Sequence, residues 1–126
     1  MRPALRRLFL CALQHDNEAQ PTAKGWETRC LHCRTRLHFT FEGEPHGAGS
    51  LEHVIPHAWF GKRTAAALCA FVEDNPNHPR NLAVACTRCN QSKGKGPDAR
   101  GPADARAMQV ITEMLARRQA RWRPSE

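Results

Sequence analysis

The sequence predicts a small α+β domain stapled by zinc, with a helix at each end. Three observations lead there: four cysteines in two Cys-x-x-Cys pairs, short runs in which apolar and polar residues alternate, and apolar residues at helical spacing near both termini. With 126 residues, 40% of them apolar and no Tyr, the chain can build one modest core. A core of that size usually needs a metal or disulfides to hold it. The expected organisation is a single domain over 1–126, with a cysteine-bearing core at 26–96, a helix and loop at 1–25, and a basic helix at 97–126.

Leu5, Leu8, Phe9 and Leu13 recur at helical spacing and predict a first amphipathic helix. Gln14 to Gly25 is polar, contains Pro21 and Gly25, and reads as a loop leading to Trp26. Leu37-His38-Phe39-Thr40-Phe41 alternates like a strand with one buried face, and Glu42 to Ser50, with three glycines and a proline, reads as a loop. Leu51 to Ile55 is a second strand-like run, ended by Pro56, so His53 falls near a strand end. Thr64 to Asp74 predicts a short inserted helix, Leu82 to Ala85 a strand, and Thr87 to Lys93 a brief helix stopped by Gly94 and Gly96-Pro97. A final helix is expected from Pro102 to about Arg121, with Met108, Ile111, Leu115 and Trp122 along one side. Arg117, Arg118, Arg121 and Arg123 crowd its end.

A net charge of +7 favours polyanionic partners, nucleic acid before anionic membrane. The start of the chain imitates a secretory signal, but its apolar run, Leu8 to Leu13, is short and no small-residue cleavage site follows. No segment is long enough to span a bilayer. The expectation is a cytoplasmic, intracellular protein with no membrane partner, whose thiols stay reduced and free to hold metal.

Cys30 and Cys33 form one pair and Cys86 and Cys89 the other, with 52 residues between them. Two residues between thiolates let a tight turn aim both sulfurs at one ion, and two such turns complete the tetrahedral S4 set that zinc favours. A closed S4 shell has no open position, so this ion would be structural. Two disulfides or a redox protein are the competing readings of the same spacing. Cys11 and Cys69 sit in apolar helical contexts and read as buried thiols.

Glu52-His53-Val54-Ile55-Pro56, Asn81-Leu82, and the Cys-x-x-Cys-Asn-x-x-Lys-Gly run from Cys86 to Gly94 occur in an order that resembles the HNH endonuclease signature. The resemblance covers roughly Cys30 to Gly94. It implies a ββα-metal core, also called the His-Me finger, in a His-Asn-Asn variant: His53, Asn81 and Asn90. Glu52 stands where the family more often has Asp, and 27 residues separate His53 from Asn81, a generous spacing assigned to the Thr64–Asp74 insertion.

The function this implies is hydrolysis of DNA phosphodiester bonds by a one-metal mechanism. His53 would accept a proton from the attacking water. Glu52 and Asn90, both oxygen donors, would hold Mg2+ or Mn2+ as Lewis acid, with His57 an alternative ligand. Asn81 would brace the loop that orients the base. Lys93 and Arg88, with Arg117, Arg118 and Arg121 of the last helix, are the candidate contacts to the backbone of a double-stranded DNA partner. A homodimer or a partner protein could supply specificity. The competing function is a non-catalytic zinc-stabilised DNA-binding module, which would need no Glu52-His53.

Overall fold

The computed structural model describes residues 1–124. It is a mixed α+β structure. Helix α1 (Pro3–Gln14) starts on a proline, whose missing N–H costs nothing in a first turn, and buries Phe9, Ala12 and Leu13 on one face. The chain then runs as an antiparallel meander of four strands in sequence order: β1 (Gln20–Pro21), β2 (Trp26–Arg29), β3 (Arg36–Phe39) and β4 (Pro45–His46). Along β3 the expected alternation holds, with Leu37 and Phe39 buried and Arg36 and His38 exposed. Strands β1 and β4 lie in segments expected to be loops. Each is two residues long and exists only because a longer neighbour offers free backbone groups, so neither leaves a periodicity to read. Gly25 is required where β2 begins: its φ is +148°, and a Cβ there would collide with the carbonyl oxygen of Phe39.

Strand β5 (Gly49–His53) pairs antiparallel with β6 (Leu82–Cys86), Glu52 opposite Ala83 and His53 opposite Leu82. The connection between them holds 3-10 turns at His57–Trp59, Arg63–Ala65 and Pro79–Asn81, and helix α2 (Ala66–Ala70). That helix is shorter than the expected 64–74 segment: the 3-10 turn at Arg63–Ala65 takes its start, and beyond Ala70 the chain turns, with Glu73 and Asp74 both at a φ of 56°.

Immediately after β6 comes α3 (Thr87–Lys95), opened by the Cys86 sulfur, which accepts the N–H of Cys89. Gly94 does not stop this helix; Gly96 does, and a short helix α4 (Pro97–Arg100) follows. The last helix, α5 (Ala105–Ala120), begins later than expected. The Asp104 carboxylate caps it by accepting the N–H of Ala107, which leaves Pro102 outside.

Two apolar clusters flank the β5–β6 ladder. One gathers Val54, Ile55, Trp59, Leu68 and Val72 from the connection with Ile111 and Leu115 of α5. The other gathers Phe9 and Leu13 of α1, Leu37 and Phe39 of β3, and Leu82 and Val84 of β6. Since β6 feeds both, through Ala83 on one side and its neighbours on the other, its run is buried throughout, which is why it reads as uninterrupted apolar sequence. No helix among the described residues is long and apolar enough to cross a membrane.

Candidate functional site

The sulfur atoms of Cys30, Cys33, Cys86 and Cys89 lie within 4.8 Å of one another. A tetrahedral ion with bonds of about 2.3 Å to sulfur needs sulfurs about 3.8 Å apart. The Cys33–Cys86 pair stands at 3.8 Å, far too long for a disulfide, and all six cysteines of the chain are free. Backbone N–H groups of His32 and Cys86 donate to the Cys30 sulfur at 3.4 and 3.3 Å. The four sulfurs could therefore hold a metal ion such as zinc, and an S4 shell of that kind would leave no coordination position for chemistry. It joins the turn after β2 to the junction of β6 and α3. The thiols ionise unequally: a backbone hydrogen bond at Thr35 brings Cys33 down to about 7, whereas burial, ahead of its neighbours' sulfurs, pushes Cys89 up to about 12. Cys69 is buried and Cys11 half-buried, outside the cluster; burial raises both thiols.

His53 ends β5, half-buried, with its Nε2 2.8 Å from the side-chain oxygen of exposed Asn77 and its ring edge-on to exposed His57, centroids 6.2 Å apart. Asn81 is wholly buried. Its side-chain oxygen accepts the N–H of Ile55 at 2.7 Å, while its amide donates to Ile55 O at 3.2 Å and Pro76 O at 3.0 Å. The two turns that carry His53 and Asn77 are therefore fastened to one side chain. Asn90, in the first turn of α3, donates to Leu51 O at 3.0 Å and Ser50 Oγ at 3.2 Å, tying the helix to the free edge of β5.

Glu52 is not placed as expected. Successive strand residues point to opposite faces, so its carboxylate leaves the His53 side and is wholly buried, 2.5 Å from His32 Nε2. His32 lies inside the first cysteine turn, which makes this contact a bridge from the metal cluster to β5. The second carboxylate oxygen of Glu52 is buried without a hydrogen-bond partner. The carboxylate is thus enclosed and turned toward His32, away from the side of β5 that carries the His53 ring.

Three of the five expected DNA contacts are also corrected. Lys93 is 4% exposed and donates to Asp98 and to His53 O, at 2.8 and 3.0 Å. Burial is the first cause that raises the Asp98 carboxyl, with Lys93 opposing it. Arg118 is 2% exposed and spends its guanidinium on the carbonyls of Leu82 and His15; burial without a carboxylate partner lowers it to about 10. Arg121 forks onto Asp16 and also donates to Thr28 Oγ1 and Arg29 O. Arg123 joins them by capping the carbonyls of Leu13 and Gln14 at the end of α1. The arginine-rich end of α5 is an internal clamp on α1 and β2. Arg88 and Arg117 remain exposed.

Sequence reasoning missed His32, Asn77 and Asp98. For Asn77 a faint signal existed, since Asn75-Pro76-Asn77 is a turn former beside a motif; for the other two there was none. Comparison with protein-family models, with curated proteins and with solved structures found no match.

Proposed function

We propose that the protein is a DNA endonuclease of the HNH kind, hydrolysing phosphodiester bonds with His53 as general base, on a scaffold held by zinc at the four cysteines. The observation that carries the reading is the setting of His53. It ends the first strand of an antiparallel pair that runs straight into a helix, it reaches the surface, and the buried amide of Asn81 fixes the turn beside it.

In this reading His53 takes a proton from water, the hydroxide oxygen bonds to phosphorus, and the bond from phosphorus to the 3′ oxygen breaks, its electron pair leaving on that oxygen. The leaving oxygen takes its proton from solvent. A Mg2+ or Mn2+ ion would supply counter-charge at the phosphate. Asn90, which is partly exposed, and Glu52 are the residues the resemblance implies as its ligands. Exposed Arg88 and Arg117 are the surviving candidates for holding the DNA backbone.

The test is nicking of supercoiled plasmid by the zinc-loaded protein with and without Mg2+ or Mn2+, comparing wild type with His53→Ala. The expected result is divalent-dependent nicking lost in the variant. Binding without any nicking, or equal nicking by the variant, refutes the reading and leaves a zinc-stabilised DNA-binding module.

A further inference from the structure

We propose that Asn77 is a positioning residue for His53: its side-chain oxygen accepts the Nε2–H of the imidazole and leaves Nδ1 as the nitrogen that carries the lone pair. Which ring nitrogen of a neutral histidine holds the proton is set by the hydrogen bond the other one makes. The Nε2 to Asn77 Oδ1 distance is 2.8 Å, and among the described residues Nδ1 has no hydrogen-bond partner.

The placement of Asn77 is built and not incidental. Its own N–H donates to Asn75 Oδ1 at 3.0 Å, closing a turn around Pro76. The Pro76 carbonyl is gripped by Asn81 at 3.0 Å, and the same Asn81 amide brackets Ile55, two residues beyond His53. One buried side chain thus sets the separation of two surface groups that lie 24 residues apart in sequence. A histidine solvated only by water exchanges between tautomers; one facing a fixed acceptor keeps one of them, and its base nitrogen points in one direction. When Nδ1 takes up a proton the ring becomes imidazolium, and the Nε2–H stays on Asn77 and is strengthened as a charge-assisted bond.

The use of Nδ1 as a catalytic base rests on the nuclease reading above; the tautomer does not. The first experiment therefore needs no DNA. In 15N-histidine spectra of the zinc-loaded protein, recorded above the imidazole titration range and with His53 identified by its loss in His53→Gln, wild type is expected to be the Nε2–H tautomer alone. Asn77→Ala is expected to relax to the mixture of a water-exposed imidazole, and Asn77→Asp, which keeps an acceptor oxygen, to restore the single form. In nicking assays Asn77→Ala should lower kcat about 10-fold, a fraction of what a general base contributes, with KM changed by less than about two-fold and with rescue by Asn77→Asp. An Nδ1–H tautomer in wild type, an unchanged tautomer ratio in Asn77→Ala, or wild-type kcat in that variant overturns the proposal. Should wild type not nick at all, the nuclease reading falls and the spectra alone decide the role of Asn77.

Discussion

Replacing Arg121 separates an internal clamp from a DNA-reading arginine. The guanidinium donates to both Asp16 oxygens at 3.1 and 2.7 Å, to Thr28 Oγ1 at 3.0 Å and to Arg29 O at 2.9 Å. Asp16 is 3% exposed and Arg121 7%, so the pair is out of water. Removing one partner of a buried ion pair costs about 3–5 kcal/mol, chiefly because the other charge stays behind. Here Asp16 keeps the Thr28 hydroxyl and the Glu18 N–H as donors, which favours the lower end of that range, about 3 kcal/mol. A domain of this size has about 5–15 kcal/mol in all, so Arg121→Ala should lose a large part of its stability and about 10 °C in Tm.

The assay is urea denaturation at fixed zinc, with Arg121→Lys and the Asp16→Ala, Arg121→Ala double variant alongside. Lysine keeps the charge without the two-pronged geometry and should recover less than half of the loss. The double variant should be more stable than the sum of its single changes implies, because neither member of the pair is left facing the space of the other. A loss below about 1 kcal/mol for Arg121→Ala, combined with weakened DNA binding, would refute the clamp and return the arginine to the surface.

Further outcomes follow from the same geometry. Stripping the metal with a strong chelator, or replacing Cys86 by Ser, should collapse the cooperative unfolding transition seen by circular dichroism, since the cluster ties β2 to the start of α3 across a long loop. Asn81→Ala should cost about 3 kcal/mol in denaturant, because it strands the buried N–H and carbonyl of Ile55, whereas His53→Ala, at a strand end and half-exposed, should cost less than about 1 kcal/mol. Arg88→Ala together with Arg117→Ala should weaken DNA binding in a salt-dependent way, lowering the slope of log affinity against log salt by roughly 2, without changing Tm. The hydrogen bond from Arg34 holds the Glu18 carboxyl below its usual 4.5, so the stability it provides is complete above that pH and is lost as pH falls through the lowered value. Glu18→Gln should flatten the acid side of the stability curve by less than about 1 kcal/mol, the pair being partly exposed.

Much of this protein is written in local sequence. Cys-x-x-Cys spacing is a property of a tight turn, so the two half-sites are legible in the sequence, while their meeting within 4.8 Å is made by the fold. The same is true of α1, β3, β5, β6 and α3, whose apolar periods or cap residues belong to single segments. The contacts of Asn81, to the Ile55 N–H, Ile55 O and Pro76 O, belong to the tertiary structure; the resemblance implies a brace at this position without naming its partners.

What sequence could not decide was which side of a strand or helix meets another element. Glu52 and His53 are adjacent in the chain and read as partners in one site; a strand sends them to opposite faces, and the fold buries the carboxylate against His32. Arg118 and Arg121 form a basic cluster when written as letters, yet α5 docks so that their guanidinium groups meet buried carbonyls and Asp16, about a hundred residues away in the chain. Charge and spacing are local quantities. Burial and pairing are made by contacts between distant segments, and those contacts took Lys93, Arg118 and Arg121 into the protein's interior and left Arg88 and Arg117 outside.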